Sequence, residues 1–569
     1  MRGPSTIRPY LLGLAVAVMA LAVPLAAHAA DPAPVNPCTV PVDYNIYGMK
    51  PFQNPPEVVS QDGVLTTTLD IHYSDPATTK VGECGLTLRT YGGSLIGPTL
   101  KVKPGDVMKI TVKNNLPTPK GKDGKDEPCE NNDGTMSEMA MEGAPAIYNV
   151  TNLHTHGLHV SPGNNPNGTH QDNIFVTICP GTTAQYEIHV PSDHPAGTFW
   201  YHAHIHGSTA IQVSSSMEGA IIIEGGLDNV PQIKAAKDQI FVLQQISYDE
   251  HGMLEDEDDM YDYWERTGSR TMVNGQLVPV VTMRPGEVQR WRMIHAGVDE
   301  SLYMKSNAGP LYEIATDGNA LGRIDAWRTP IELEPGYRSD VLFKAPLKTG
   351  RYYLLSGKIP AAKKLLFLAL PGALKSNVPD AEAKYVVAVD VQGTPNNMPL
   401  PTEAELRPLA PYKPITRNEL TGTPQKVTFA LEPAICDSAG LCRPCKPKGD
   451  NDPDCTDKYM VDWHVYPYGS TRTLKLNTAS QWTLTVSKTS QGQAHPFHVH
   501  VNPFEMVRQG PNGIDEVVWK DTLMVREGAP LKYRIVKSRY EDYPGAFVLH
   551  CHILPHEDQG MMQKVEIVP

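Results

Sequence analysis

The segment LKVKPGDVMKITVKNN, residues 100–115, decides the fold, because it joins a tight turn to a run of alternating apolar and polar residues. Such alternation is typical of a β-strand with one buried face. The segment VTMRPGEVQRWRMIHA, residues 281–296, repeats the turn and the strand, and QWTLTVSKTSQGQAHPFHVH from Gln481 is a third, less similar copy. Three units of roughly 170 residues predict three β-sandwich domains.

The remaining sequence fits an all-β protein. Short alternating runs recur between clusters of Pro, Gly, Asn and Asp, and no long helical periodicity is present. The 569 residues are too many for a single hydrophobic core. A net charge of −13 makes nucleic acid a disfavoured partner, because binding to phosphates needs an excess of basic residues.

The first thirty residues have the pattern of an export signal. Two arginines precede the apolar run LLGLAVAVMALAVPLAA, and Ala27-His28-Ala29 is a small-x-small cleavage site. We expect cleavage after Ala29 or Ala30 and a periplasmic or secreted protein. A membrane anchor is the alternative, but the run is short and interrupted by a proline, and no later stretch is long and apolar enough for a membrane span.

The repeats and the signal together predict the organisation of the chain. The linker is placed in MPLPTEAELRPLAPYKP and the residues after it, because its prolines disfavour the interior of a strand. The expected parts are a signal peptide at 1–30, a first domain at 31–226, a middle domain at 227–397, a Pro-rich linker at 398–417 and a third domain at 418–569.

Nine cysteines are present, and eight of them suit disulfide bonds in an oxidising compartment. Their connectivity is open, since eight cysteines allow 105 pairings. Cys442-x-x-Cys445 has the alternative interpretation of half a zinc site or a redox pair. A stapled loop is simpler for this Pro- and Gly-rich stretch. The eight are Cys38, Cys84, Cys129, Cys179, Cys436, Cys442, Cys445 and Cys455.

The ninth cysteine lies in HCHILPHEDQGMM, which begins at His550 and offers five soft-metal ligands within a short stretch. Successive side chains of a strand point to opposite faces, so His550 and His552 share one face while Cys551 lies on the other. One strand is therefore able to serve two metal centres. A thiolate, two imidazoles and a weak thioether form a blue-copper site, and here Cys551, His556 and Met561 supply all but one imidazole.

Ten of the twenty histidines fall into four clusters, and the missing ligand is among them. A single His-x-His pair is often no more than two hydrogen-bonded side chains. Four clusters, one of which contains cysteine, favour a group of metal ions. The clusters are His154-Thr-His156-Gly, His202-Ala-His204, His495-Pro-Phe-His498-Val-His500 and His550-Cys-His552 with His556.

In these clusters the chain resembles the multicopper oxidases, the family of laccases, ascorbate oxidases and bacterial cuprous oxidases. The family pattern is HxHG, HxH, HPxHxH and HCHxxxHxxxxM, and this sequence has HTHG, HAH, HPFHVH and HCHILPHEDQGM in the same order. The resemblance extends from about residue 40 to the C-terminus. It implies three cupredoxin-like Greek-key sandwiches, four copper ions and a copper-dependent oxidoreductase.

The resemblance also implies which residue binds which copper, with the cluster between the first and third domains and the middle domain as a spacer. The type 1 ligands would be His495, Cys551, His556 and axial Met561, and the type 2 ligands His154 and His498. The type 3 ligands would be His156, His202 and His552 on one ion, and His204, His500 and His550 on the other.

By the same resemblance, electrons from a donor pass one at a time through Cys551 to the cluster, where O2 is reduced to water. Asp172 and Glu557 match family positions that relay protons; alternatively they form an Asx-type turn and a salt bridge. Axial Met561 predicts a modest oxidant. His159 and His206 lie beside ligands without matching a ligand position, so we expect supporting roles.

The donor is open at this point. A laccase-like oxidase acting on phenols or aromatic amines is the leading hypothesis, and an oxidase of Cu(I), Fe(II) or Mn(II) is the alternative. The thioethers of MSEMAMEG, from Met136, and the acidic run EDEDDMYDYWE, from Glu255, keep the metal hypothesis alive. A non-catalytic scaffold or copper store is disfavoured because every ligand position is filled, and a copper nitrite reductase because there are three repeats.

Overall fold

The strands of the chain pair into three sets of two sheets, joined by short helices and turns. A computed structural model describes residues 36–39, 50–120, 125–126, 129, 132–133, 148–256, 260, 271–357, 383–445, 454–487 and 494–569. Each of the three repeat units lies in its own pair of sheets. The prediction of an all-β protein with three sandwiches is confirmed, while the domain boundaries stay predictions.

The first sandwich contains β1 (Glu57–Val59), β2 (Val64–Tyr73), β3 (Lys80–Val81), β4 (Cys84–Gly85), β5 (Arg89–Tyr91), β6 (Thr99–Val102), β7 (Val107–Asn114), β8 (Asn132–Asp133), β9 (His154–His156), β10 (Val176–Thr177), β11 (Thr183–His189), β12 (Gly197–His202), α1 (Thr209–Ser214) and β13 (Glu218–Ile223). The order β1-β6-β13-β12-β9 forms one sheet and β11-β7-β2-β5 the other. Their apolar faces enclose a core that includes Leu65, Ile110 and Ile221.

The middle sandwich follows a 3-10 turn (Gly226–Asn229) and α2 (Pro231–Lys234). Its strands are β14 (Lys237–Gln244), β15 (Met272–Val273), β16 (Val280–Met283), β17 (Val288–His295), β18 (Leu302–Ser306), β19 (Leu311–Thr316), β20 (Asn319–Trp327), β21 (Ile331–Leu333), β22 (Arg338–Lys344), β23 (Gly350–Gly357) and β24 (Ala383–Val391). They form the sheets β15-β14-β17-β22-β19-β20 and β16-β24-β23-β18-β21. Trp291 and Phe343 stack in the core between them.

The third sandwich contains β25 (Gln425–Cys436), β26 (Cys442–Pro444), β27 (Thr456–Val461), β28 (Arg472–Lys475), β29 (Thr478–Val486), β30 (Ala494–Val499), β31 (Phe504–Gln509), β32 (Asp515–Lys520), β33 (Thr522–Arg526), a 3-10 turn (Leu531–Tyr533), β34 (Ile535–Tyr540), β35 (Gly545–Cys551) and β36 (Met562–Val568). Its sheets are β26-β25-β29-β34-β31-β32, with β27 also paired to β25, and β28-β36-β35-β30-β33.

The repeated sequence units occupy equivalent places. Strands β7, β17 and β29 each pair in parallel with the first long strand of their sandwich, namely β2, β14 and β25. The two similar turns also match in detail, because Gly105 and Gly286 both have a positive φ that favours glycine. The acidic residue after each glycine, Asp106 or Glu287, accepts a hydrogen bond from the backbone N–H three residues earlier.

The segment predicted as a linker contains short helices and packs on the middle sandwich. Its helix α3 (Glu403–Leu406) is followed by the 3-10 turns Arg407–Leu409 and Arg417–Glu419. Thr402 caps α3 by accepting the N–H of Glu405, whose carboxylate accepts the N–H of Thr402. Leu406 is fully buried against the middle sandwich, so its apolar side chain anchors the segment there. The proline content on which the linker prediction rests does not indicate this contact.

Four disulfide bonds use all eight cysteines expected to form them, and Cys551 is the free one. Cys442 and Cys445 bond to different partners, which favours the stapled loop over a zinc or redox site. The pairs are Cys38–Cys84, Cys129–Cys179, Cys436–Cys442 and Cys445–Cys455. Among the described residues, no helix combines the length and the apolar character that crossing a membrane requires.

Candidate metal centres

Eight histidines meet between the first and third sandwiches. In the first, β9 pairs with β12 so that His154 lies opposite His202, and in the third, β30 pairs with β35 so that His498 lies opposite His550. Each pair of adjacent strands, together with the residues just after β12, β30 and β35, thus supplies four imidazoles. All eight residues are at most 2% exposed: His154, His156, His202, His204, His498, His500, His550 and His552.

The eight rings converge on one small volume. The Nε2 atoms of His204 and His550 are 3.2 Å apart, and Nε2 of His500 lies 3.3 Å from that of His550. On the opposite side, Nε2 of His552 lies 3.2 Å from Nδ1 of His156. Ring nitrogens lie within 4.8 Å of one another in the sets His154/His156/His202, His154/His498/His500 and His204/His500/His550. Several metal ions would share such a cluster.

The outward nitrogens of His202 and His498 are held by hydrogen bonds, which leaves their inner nitrogens for a metal. Nδ1 of His202 donates to the carbonyl of Ala203, and Nδ1 of His498 donates to the carbonyl of Asp521. The Nε2 atoms of His154, His202 and His498 are buried without a hydrogen-bond partner among the described residues. Buried polar atoms are rarely left unpaired, so the arrangement fits bound cations.

Burial keeps the imidazoles neutral, the form that binds a metal. It lowers the pKa of the eight histidines below the ordinary value of 6.5, and neighbouring imidazoles lower the pKa of most of them further. The pKa falls to about 4 for His204 and His550 and to about 3 for His498. Metal binding at neutral pH would displace no proton from these rings.

A second, smaller centre lies in the third sandwich. The Sγ of Cys551 is 3.5 Å from Nδ1 of His495 and 3.7 Å from Nδ1 of His556, and these two nitrogens are 3.3 Å apart. Met561 is fully buried, and its backbone carbonyl accepts the N–H of Cys551. Burial raises the pKa of the Cys551 thiol well above its ordinary value, so a bound cation must displace that proton.

The smaller centre is accessible through one histidine. His495 is fully buried, whereas His556 is only partly buried. The ring of Tyr459, which is also partly buried, lies 5.0 Å from the ring of His556 between centroids. The edge formed by His556 and Tyr459 is therefore the part of this centre that is partly open to solvent.

Two carboxylates predicted to relay protons touch the cluster. Asp172 accepts the backbone N–H of Thr155 at 2.7 Å and lies 3.1 Å from Nδ1 of His154. Glu557 lies 3.3 Å from Nδ1 of His204 and 3.1 Å from Nδ1 of His550. Burial raises the pKa of each carboxyl to about 7, so each is able to gain or lose a proton near neutral pH.

Three further residues at the site are not among those predicted from the sequence. Asp521 lies 3.2 Å from Nε2 of His156 and is paired with Arg338 of the middle sandwich. Asp558, next to Glu557, accepts the N–H groups of Gly207, Thr209 and Ala210 in the first sandwich. These residues are brought to the cluster by contacts between domains, which no local spacing reveals.

The remaining sequence candidates lie outside the two centres. His206 packs against Tyr466 with ring centroids 4.8 Å apart, and His159 pairs with Asp542 at 3.0 Å, so both support neighbouring structure. The signal peptide and the methionines from Met136 to Met141 lie outside the described residues, as does most of the acidic run from Glu255. In the described part of that run, Glu255 pairs with Arg89 at 2.6 Å.

Sequence comparison places both histidine-bearing regions in known families. Residues 145–227 and 446–569 match two family models, each described as multicopper oxidase. A multicopper oxidase of Staphylococcus aureus is 24% identical over 492 residues, covering 84% of this chain and 83% of its own. A laccase of Bacillus stratosphericus is 22% identical over 556 residues, covering 91% and 96%.

Solved structures show the same fold. A metallo-oxidase of the multicopper type from Campylobacter jejuni superimposes with a TM-score of 0.63 at 20% identity, covering 92% of this chain and 97% of its own. A laccase-like multi-copper oxidase from Ochrobactrum sp., with activity towards lignin model compounds, has a TM-score of 0.62 at 19% identity, covering 91% and 100%. These likenesses confirm the predicted cupredoxin-like sandwiches.

Proposed function

The chain belongs to the multicopper oxidase family and is a copper-dependent oxidoreductase, and from this premise we propose that it is a laccase-like oxidase of phenols or aromatic amines. Its acceptor is O2, which receives four electrons and four protons to give two waters. The observation that carries the proposal is the pairing of a Cys551 centre, accessible at one edge, with a fully buried histidine cluster.

Four copper ions fit the two centres. His495, Cys551, His556 and Met561 would hold the type 1 ion, and His154 and His498 the type 2 ion. The type 3 pair would be held by His156, His202 and His552 and by His204, His500 and His550. The inward, unpartnered nitrogens and the soft thiolate and thioether support copper over a hard cation such as magnesium. Bound copper would supply the one-electron chemistry.

The protein's own part begins at the donor edge. The aromatic ring of Tyr459 beside His556 provides a surface on which a flat donor stacks. The backbone of Cys551 then connects this centre directly to His550 and His552, so the path for electrons is fixed by the covalent chain. Because the cluster histidines are buried, a donor in solution would give its electrons to the Cys551 centre and not directly to the cluster.

Two carboxylates would supply protons to the histidine cluster. Asp172 and Glu557 each touch a histidine of the cluster from the outside, and a raised pKa of about 7 lets each hold a proton at neutral pH. Four protons are consumed for every O2, so a buried cluster needs such groups. Glu557 also accepts a bond from the Thr209 hydroxyl, which orients it.

A reduced metal ion is the second candidate donor. Asp457 is exposed on β27 and shares a strand face with Tyr459, so a carboxylate is available near the donor edge for a cation. The similarity to a metallo-oxidase agrees with this alternative. Both donors would use the same two centres and differ only at the rim of the type 1 site.

The test is oxygen uptake by one fully copper-loaded preparation with a substituted phenol, Cu(I), Fe(II) and Mn(II) in turn. The proposal expects the highest kcat/KM with the phenol, and Tyr459→Ala should raise KM for the phenol. If a metal ion gives the higher value and Asp457→Asn lowers it, the organic donor is the wrong assignment. No oxygen uptake with any donor would refute oxidase function itself.

We also propose that the protein is exported before it binds copper. Four disulfide bonds support an oxidising compartment, because such bonds are rarely kept in the cytosol. The expected signal at residues 1–30 supplies the route. Cell fractionation with an antibody tests the proposal, and recovery of the protein in the cytosol would contradict it.

A further inference from the structure

We propose that Arg338 of the middle sandwich is a positioning residue of the histidine cluster, acting through Asp521 on the ring of His156. The middle domain would then be part of the oxygen-reducing site and more than the spacer that the family resemblance implies. The inference rests on the copper assignment proposed above and is independent of the donor.

Arg338 joins all three sandwiches at one point. Arg338 is fully buried at the start of β22. Its Nε donates to the carbonyl of Thr198 in the first sandwich at 3.3 Å. Nη1 donates to the carbonyl of Gly336 at 3.0 Å. Nη1 and Nη2 also bind the two carboxylate oxygens of Asp521 at 2.7 and 2.5 Å. This fork holds the carboxylate in one plane, which a single ammonium group does not do.

Asp521 contacts two histidines of the cluster, His156 through its carboxylate and His498 through its backbone carbonyl. Its Oδ1 lies 3.2 Å from Nε2 of His156, whose Nδ1 faces Nε2 of His552 at the cluster. A carboxylate accepts a proton donor, so it keeps hydrogen on Nε2 and the lone pair of Nδ1 directed inward. The backbone carbonyl of Asp521 accepts Nδ1–H of His498 at 2.9 Å. The Thr522 hydroxyl donates to Oδ1 at 2.8 Å and completes the carboxylate's contacts.

Two glycines make room for this arrangement. A Cβ atom on Gly157, the glycine of HTHG, would lie 2.3 Å from Nη2 of Arg338 and 2.7 Å from Oδ2 of Asp521. A Cβ atom on Gly336 would lie 3.0 to 3.1 Å from carbons of His552 and His156. Both glycines also have a positive φ. The glycine of the family motif is therefore required here by the ion pair as well as by the turn.

An ordinary interface salt bridge is the competing explanation. The same pair of domains is joined elsewhere by Arg508 of the third sandwich, which binds Glu313 at 2.9 Å and Asp325 at 2.7 Å. Among the described residues, Arg508 forms no hydrogen bond or ion pair with a histidine and thus offers a matched comparison. If Arg338 only tied the domains together, replacing either arginine would have the same kind of effect.

The experiment replaces Arg338 by lysine, with Arg508→Lys as the control, and studies both as copper-loaded full-length proteins. Readouts are copper per protein after dialysis against a chelator, the electron paramagnetic resonance spectrum and the blue absorption. We expect Arg338→Lys to lower copper affinity at the cluster about 10- to 100-fold and to change its resonance signals. Its type 1 absorption should stay, and Arg508→Lys should resemble the wild type in every readout.

Asp521→Asn is the second variant, because it keeps the volume but weakens the acceptor facing His156, and it should alter the same signals. The proposal is overturned if Arg338→Lys and Asp521→Asn keep wild-type copper retention and spectra. It is also overturned if the Arg338 variant fails to fold or if Arg508→Lys loses cluster copper equally, since either result marks a purely structural role. A wild type without cluster copper would instead refute the copper assignment itself.

Discussion

His550 and Cys551 are covalent neighbours at the end of β35, yet their side chains enter different centres. Nε2 of His550 lies 3.2 Å from Nε2 of His204, while Sγ of Cys551 lies 3.5 Å from Nδ1 of His495. The alternation of a β-strand is sufficient to produce this separation. One peptide unit therefore bridges the donor side and the oxygen side of the protein.

Cys551→Ser should bleach the blue colour and abolish turnover, because a serine hydroxyl does not replace a thiolate as a soft ligand. The cluster histidines are untouched, so their copper should remain. Visible absorption, copper analysis and oxygen uptake check these three outcomes on one sample. A blue, active Cys551→Ser protein would be incompatible with the assignment of this centre.

Met561→Leu should raise the reduction potential of the type 1 centre, because losing a weak axial thioether disfavours the oxidised ion. The matched control is Met562→Leu, whose side chain is also buried but packs in a different apolar cluster, with Ile174 and Tyr466. A redox titration of the blue band measures both. The axial assignment of Met561 is wrong if the two variants give the same potential as the wild type.

Glu557→Gln should slow oxygen reduction about 100-fold at full copper loading, because proton transfer by a positioned group contributes about that much or more. Burial raises the pKa of Glu557 to about 7, so its protonated, donating form is lost as pH rises through that value. The wild-type rate should fall above pH 7, and the variant should lack that limb. Asp172→Asn should act in the same direction. Steady-state oxygen uptake across pH gives the profiles.

Asp558→Asn is the control for the carboxylate variants. Asp558 is the immediate neighbour of Glu557, but its oxygens accept backbone N–H groups of the first sandwich, and in the part of the chain that the structure describes they form no hydrogen bond or ion pair with a histidine. This variant should lower thermal stability and keep the loss of rate above neutral pH, because Glu557 remains, although the midpoint shifts since the two carboxyls interact. If Glu557→Gln and Asp172→Asn have the same loss of rate above neutral pH as Asp558→Asn and the wild type, Glu557 and Asp172 do not relay protons.

The copper-free protein should lose stability as pH falls from 6.5 towards 4. Histidines of the unfolded chain take up protons near pH 6.5, whereas burial lowers the pKa of His204, His495 and His550 to about 4 in the folded state. The unfolded state therefore binds more protons in this window. Each such histidine lowers the free energy of unfolding by about 1.4 kcal/mol per pH unit.

Carboxyls with a raised pKa oppose this trend, and three of them lie beside the histidine cluster or next to Glu557. Burial raises the pKa of Asp172 and Glu557 to about 7, and burial with the adjacent Glu557 raises that of Asp558 to about 8, so acid favours their folded forms. Among the described residues, thirteen histidines with a lowered pKa outnumber the seven carboxyls with a raised one. Thermal unfolding of copper-free protein at pH 4.5 and pH 7 measures the balance, and an equal or higher midpoint at pH 4.5 would contradict the prediction.

The parts of the site that the sequence reveals are those encoded by local spacing. Each His-x-His pair needs only the two-residue period of a strand to put both rings on one face, and the repeated Pro-Gly turns identify the sandwiches. The contact of His156 with Asp521 joins residues more than three hundred positions apart, and Arg338, which binds Asp521, comes from the middle domain. Such contacts depend on how domains pack, which periodicity does not encode.

Burial is the second quantity that the sequence leaves open. Asp172 in HQDN fits an exposed turn as well as a buried site, and only the enclosing first sandwich raises its pKa to about 7. Cysteine pairing also depends on the folded structure. Spacing alone does not say that Cys442 bonds to Cys436 while Cys445 bonds to Cys455. The packed helix α3 in the predicted linker likewise depends on an apolar contact between distant segments.

Because the histidine cluster is divided between β9–β12 and β30–β35, its two halves are synthesised at different times. The first four imidazoles emerge from the ribosome long before their partners, and they have no complete site to join until β35 has been made and the outer sandwiches have docked. The ligands of the Cys551 centre all come from the last sandwich. The electron-entry site is thus able to assemble within one folding unit, whereas the oxygen site is a late product of the whole chain's assembly.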